Sequence, residues 1–384
     1  MRNLKIDQLT FTRFIAAFSI VVLHFGARAF PFNNDNISFI FKQASTAVSY
    51  FFILSGFVMI IAYNNKSKIE SVEYIKSRFA RIYPIYLLAI LILLIFYALS
   101  NNINFENLLL NIFLIQAWQA EKALTFNPAG WSLSVEFFFY LLFPFLFNKV
   151  YKKFSYKKII WFISIFWIIS QFSFHFMIYY NWPVNGSNTY CFPLMHLNAF
   201  LAGNMAGLFY LNNDKIKSKN FDLPILAVIF LIILAFKFPF GLNYHNGMLA
   251  LLFVPFIVLV SLNNGLITTI FKNKVFIFLG EISYGIYILQ FPISAWISDF
   301  RLLKYLNIEK ASNLNFYIKL VALLVLSSLS YIYIEKPIRE RMKKQNLQSV
   351  KVQRFFLFFK NKSSEQHLAK KRISKYLTNI SLKK

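Results

Sequence analysis

Two side chains in the first apolar run, Leu9 to Ala29, are out of place in a membrane helix unless they do something: Arg13 and His24. At about 100° and 1.5 Å per residue, their eleven-residue spacing returns both to one helix face, roughly 16 Å apart along the axis. An ionisable group in lipid costs on the order of 3 kcal/mol on insertion scales, so it turns toward a bundle interior or a wet cavity. That face offers a fixed cation and an imidazole that can exchange a proton near neutral pH. Alone, Arg13 would be compatible with snorkelling to headgroups and His24 with a satisfied core histidine. Together on one face they predict a functional site.

Other groups extend that site. Pro128 and Trp131 mark the outer boundary of a later segment, which puts Glu136 about five residues below it, at the depth of His24. The carboxylate is expected to pair with the imidazole, fixing its tautomer and raising its basicity as a general base requires. Trp131, Ser132 and Gln290, in the same outer third, are expected to contact the acceptor substrate. On the inner side Arg78 and Arg81 stand at i and i+3 just ahead of Pro84. Their guanidinium forks suit phosphate oxygens, although basic pairs at inner helix ends most often only set topology. Ser55 has no base near it in sequence, and with Gly56 it is assigned to close helix packing rather than to nucleophilic chemistry. His175, His196 and Asn198 add outer polarity, but without ligand-spaced motifs no metal site is expected. These two stations suit transfer of a group from a cytoplasmic, phosphate-bearing donor to an acceptor outside. A coenzyme A thioester fits, its phosphates on Arg78 and Arg81 and its slim pantetheine arm in the bundle.

Positioning such groups falls to membrane helices. The chain has 384 residues, 58% hydrophobic and only 15% charged, in repeated apolar runs of bilayer length. About ten spans are expected, near 9–29, 44–63, 82–99, 131–148, 158–179, 193–211, 222–238, 247–263, 275–296 and 315–334. Alternate loops gather lysine and arginine (Lys66 to Arg81, Lys149 to Lys158, Lys215 to Lys219, Lys272 and Lys274), so both termini are predicted to be cytoplasmic. Leu108 to Trp118 is too short to span and reads as a re-entrant or interfacial helix. Residues 1–340 form the expected transmembrane domain and 341–384 a basic cytoplasmic tail, the helix ending at Glu335-Lys336-Pro337. The first helix, though it imitates a signal peptide, is expected to be retained. The net charge of +26 points to anionic inner-leaflet lipid rather than nucleic acid. Cys191, the one cysteine, excludes an intramolecular disulfide. No internal repeat of the kind many transporters show is apparent.

The motifs, taken in order, resemble the acyltransferase 3 family of integral-membrane O-acyltransferases. They are Arg13 with His24; Phe51-Phe52-Ile53-Leu54-Ser55-Gly56-Phe57; Arg78-Phe79-Ala80-Arg81-Ile82-Tyr83-Pro84; Trp131-Ser132-Leu133-Ser134-Val135-Glu136; Ser283-Tyr284-Gly285-Ile286-Tyr287; and Glu335-Lys336-Pro337. The resemblance covers about residues 5–340. It implies a ten-helix fold in the inner (plasma) membrane and transfer of an acyl group, usually acetyl from acetyl-CoA, to a sugar hydroxyl of an envelope polysaccharide such as O-antigen, capsule or exopolysaccharide, or of a lipid-linked sugar. Carried over by position, it makes His24 the catalytic histidine, Arg13 its partner, Arg78 and Arg81 the donor-side pair and Glu136 the acid of its motif. Many relatives have histidine where this chain has Gln290, which can hydrogen-bond but cannot shuttle a proton at neutral pH. Either that histidine is dispensable, or the acceptor differs, or the chain is inactive. Some relatives add a C-terminal esterase-like domain; the tail here is too short for one, so transfer is expected to finish within the membrane core. The competing class is a glycan or lipid transporter using the same polar cavity.

Overall fold

The computed structural model describes residues 6–180, 190–213, 219–307 and 313–342. The basic tail beyond Met342, with its apolar island Phe355 to Phe359, lies outside the described residues, as do Lys215 and Lys217. The described residues form helices and their connections, with a lone bridge between Lys219 and Asn263 and no strand. Seven helices are long and apolar enough to cross a bilayer: Gln8–Gly26, Thr46–Tyr63, Ser71–Leu99, Gly130–Tyr151, Tyr156–Tyr179, Lys274–Trp296 and Asn313–Met342. The other three expected spans are helical but shorter: Leu197–Asn212 (α8), Asp222–Lys237 (α9) and Ala250–Leu262 (α10). A 3₁₀ turn, Pro193–His196, leads directly into α8.

Outward faces are those of a protein solvated by lipid. Tyr156–Tyr179 (α7) leaves Trp161, Phe162, Ile169, Phe172 and Phe176 exposed, and α9 does the same with Leu223, Leu226 and Phe230. In a water-soluble protein an apolar surface of that extent would demand a partner.

Where lipid supplies no hydrophobic drive between helices, close packing must do so. Thr46–Tyr63 (α3) lies against α8 through three glycines, Gly56, Gly203 and Gly207. A methyl on Gly56 would sit 2.2 Å from the carbonyl oxygen of Phe200, and one on Gly203 only 1.9 Å from that of Ile53. Gln8–Val21 (α1) meets Lys274–Trp296 (α12) in the same way, with Gly280 against the Thr10 carbonyl (2.0 Å). Thr12 and the Tyr50 hydroxyl share a 2.5 Å hydrogen bond that ties α1 to α3.

Leu108 to Trp118 does not span, in keeping with its length. It forms Phe105–Ile112 (α5), capped by Asn104, and then single 3₁₀ turns. Tyr86 of Ser71–Leu99 (α4) donates to the Asn111 carbonyl (3.0 Å), and Ser134 of Gly130–Phe145 (α6) to that of Leu114 (2.5 Å), which clamps this connection onto the bundle.

One boundary differs from the sequence expectation. Asn313–Ser330 (α14) does not stop at Pro337 but passes through a π turn, Tyr331–Glu335, and continues to Met342. The proline falls just after the widened turn, where loss of one N–H is tolerated, so the helix continues past it.

Candidate active site

Helices α1, α3, α4, α6 and α12 and the last residues of the 313–342 helix line a cavity of about 720 Å³. Its charged lining is Arg13, Arg78, Arg81 and Arg339 with Glu136, Glu281, Glu335 and Glu340. Toward the bundle centre it reaches Ser55, Ser132, Phe51 and Tyr287, and it stops short of His24.

The arginines are held differently. Arg78 stands over three rings, Tyr63, Tyr74 and Tyr140, at 5.4, 5.5 and 5.9 Å from their centroids, a cage that holds a cation without neutralising it. Its Nε is buried and unpartnered. Arg13 has Arg81 and Glu136 as charged neighbours. Among the described residues no carboxylate comes within ion-pair distance of Arg13, Arg78 or Arg81. Arg339 differs, lying 3.7 Å from the buried Glu335 and 3.8 Å from Glu281. Three arginine forks facing one cavity, uncommitted to carboxylates, fit a ligand that brings its own anionic oxygens.

Glu136 is not the partner of His24, which corrects the sequence expectation. The hydroxyls of Ser55 (3.1 Å) and Tyr140 (2.5 Å) both donate to its Oε1, inside the arginine cavity. The carboxylate is a charged neighbour of Arg13, eleven residues before His24 on the same helix, and its hydrogen bond to Ser55 faces it toward α3. Ser55 therefore has a carboxylate within reach, which sequence proximity could not reveal. Tyr140, one turn beyond Glu136, was legible as its i+4 neighbour; Arg339 carried no sequence signal.

His24 occupies a π turn, Val22–Gly26, that continues α1. Such turns recur at functional positions because they re-aim side chains. The ring is exposed, leans on Phe291 (5.1 Å between centroids) and bonds through Nδ1 to Gln290 Oε1 (2.9 Å). Gln290, itself buried, donates through Nε2 to the Tyr287 carbonyl (2.7 Å). One turn of α12 thus connects the cavity wall to His24. That turn is further fixed by Pro292, which has no N–H to give the Ile288 carbonyl; Asn127 Nδ2 takes it instead (3.2 Å).

Trp131 and Ser132 separate. Ser132 lines the cavity and donates to the Ala129 carbonyl (3.1 Å). Trp131 is buried against Phe52, His196 and His245 and is not among the residues lining this cavity. His196 and His245 both donate Nε2–H to the Tyr190 carbonyl (2.7 and 3.0 Å). Burial pushes the His245 imidazole below its usual range. His175 donates to Gln171 and accepts from the Asn243 amide. These three histidines brace loops.

Fold and site together define a class: a polytopic helical membrane protein with an arginine-lined cavity at one end and a histidine held just beyond it. The chain belongs to the acyltransferase 3 family, whose acyltransferase domain matches residues 6–333. It is 33% identical over 172 residues to acyltransferase MdmB of Streptomyces mycarofaciens, covering 42% of this chain and 43% of that protein. It is 24% identical over 324 residues to O-acetyltransferase OatA of Staphylococcus aureus, covering 77% of this chain and 52% of the relative. The chain thus spans about half the length of these curated relatives, or less. No solved structure matches it.

Proposed function

We propose that this protein is a membrane O-acyltransferase that moves an acyl group, acetyl in the simplest case, from cytoplasmic acetyl-CoA to a sugar hydroxyl of an envelope polysaccharide. The observation that carries this reading is the arginine-lined cavity ending one helical turn from the His24–Gln290 pair. The acyltransferase and O-acetyltransferase names of the relatives agree with it. In this reading α8, α9 and α10 also cross the plasma membrane, making ten spans with both termini cytoplasmic and the His24 end outside.

Acetyl-CoA supplies an acyl carbon activated as a thioester. Arg78, Arg81 and Arg13 hold anionic oxygens of the donor, and Phe51, Ser132 and Tyr287 bound the place where its acyl end arrives. His24 takes the proton from the sugar hydroxyl, the hydroxyl oxygen bonds to the acyl carbon, and the carbon–sulfur bond breaks with its electron pair leaving on sulfur. Glu136 keeps the Ser55 and Tyr140 hydroxyls fixed beside the arginines rather than acting on the imidazole.

Loss of the Arg81 fork should weaken donor binding about 10- to 100-fold, the 1.5–3 kcal/mol of a charge-assisted hydrogen bond. Arg81→Ala should leave thermal stability near wild type, whereas Arg78→Ala should lose both, because it also empties the tyrosine cage. Calorimetric titration of acetyl-CoA alongside thermal unfolding in detergent checks this; equal donor affinity in wild type and Arg81→Ala would contradict it. The function itself is tested by mass spectrometry of surface glycans in a deletion strain complemented with wild type or with His24→Ala. Acyl groups restored by wild type alone are expected. Identical glycans in all strains would overturn the reading in favour of another acceptor class or of transport.

A further inference from the structure

We infer that Gln290 is the positioning residue that fixes the His24 imidazole in its Nδ1–H tautomer and so presents the Nε2 lone pair to the acceptor hydroxyl. The inference rests on the transferase reading for its kinetic consequence but not for its geometry.

A carboxamide has two unlike ends, and here each is assigned by its neighbour. Toward Tyr287 stands a backbone carbonyl at 2.7 Å, which can only accept, so the amide nitrogen of Gln290 must face it. Reversing the amide would set two oxygens against each other at that distance inside the protein, where Gln290 is only 1% exposed and no water could intervene. Oε1 is therefore the end that meets His24, and since it only accepts, Nδ1 must carry the proton (2.9 Å). In the neutral ring that leaves Nε2 bare. Nε2 has no protein partner among the described residues, and the ring is exposed. Phe25 and Phe291 flank the imidazole, so no second polar group competes with Gln290 for its orientation.

The support is rigid at every link. Gln290 hangs from its own helix through the Tyr287 carbonyl, and that turn of α12 is held by Asn127 on the Ile288 carbonyl. A base with a free ring flip would present Nε2 only part of the time; one pinned through Nδ1 presents it always.

What position 290 requires is one acceptor and one donor in a single buried side chain. Neutral histidine supplies both; leucine, of similar volume, supplies neither. Gln290→Leu should lower kcat on the order of 10²-fold, the low end of what a positioned base contributes, with donor KM unchanged. Gln290→His should recover most of the rate. Independently of activity, ¹⁵N spectra of histidine-labelled protein in nanodiscs, with His24 assigned by the signal missing from His24→Ala, should show a protonated Nδ1 and a bare Nε2 in wild type when the ring is neutral. The two nitrogens should average in Gln290→Leu. A protonated Nε2 in the wild type, or kinetics and spectra unaltered in Gln290→Leu, would overturn the inference. Absence of transfer by wild type with the Nδ1–H signature intact would instead remove the transferase reading and leave the positioning role standing.

Discussion

His24→Ala should lose on the order of 10²- to 10⁴-fold in kcat, the full contribution of a general base, while donor affinity and thermal stability stay close to wild type. The reason for so clean a separation is where the ring sits. It is exposed, its polar contact among the described residues is the Gln290 amide, and it lies outside the cavity that would hold the donor. Removing it opens no internal void and touches no arginine. Rate assays with purified protein, acetyl-CoA and a glycan acceptor, read beside an unfolding curve, measure both halves. Transfer at the wild-type rate would dismiss His24 as the base.

The second large effect is structural. Gly203→Ala should cost about 3 kcal/mol or more, because its methyl would land 1.9 Å from the Ile53 carbonyl oxygen and 2.7 Å from its carbon. Backbone cannot rotate aside as a side chain can, so α3 and α8 must separate along their shared face. Ser55 is two residues from Ile53, so the same shift would loosen its bond to Glu136 and reduce activity in whatever protein still folds. Gly241→Ala is the control: nothing lies within 4 Å, and only its left-handed backbone (φ +73°) resists the change, at about 1 kcal/mol. Denaturant unfolding in micelles should rank them so; equal midpoints would refute the close-contact argument.

Much of this architecture could be read from residue types alone. Arg13 and His24 announced themselves because charge in an apolar run is expensive, and Gly56 because only a small residue lets helices touch. The failure of Leu108 to Trp118 to span followed from its length. Partners across helices were not legible. Counting from a helix boundary puts Glu136 and His24 at one depth, whereas the carboxylate is a charged neighbour of Arg13, eleven residues before the imidazole on α1. Ser55 likewise looked idle, its carboxylate being 81 positions away in the chain, and Gln290 looked like a defect. A donor and an acceptor in one side chain is a property of its two neighbours, neither visible in the sequence. Pro337 misled because a π turn ahead of it absorbs the missing hydrogen bond.

Tyr287 lines the arginine cavity and holds Gln290 through its carbonyl, so one residue joins the donor's space to the support of the imidazole. Under the transferase reading the two substrates come to that point from opposite sides, each with its own binding space up to the reacting atoms. Both can be resident at once, in either order of arrival. Initial-velocity lines should therefore intersect rather than run parallel, and desulfo-coenzyme A should compete with the donor while leaving the apparent affinity for glycan untouched.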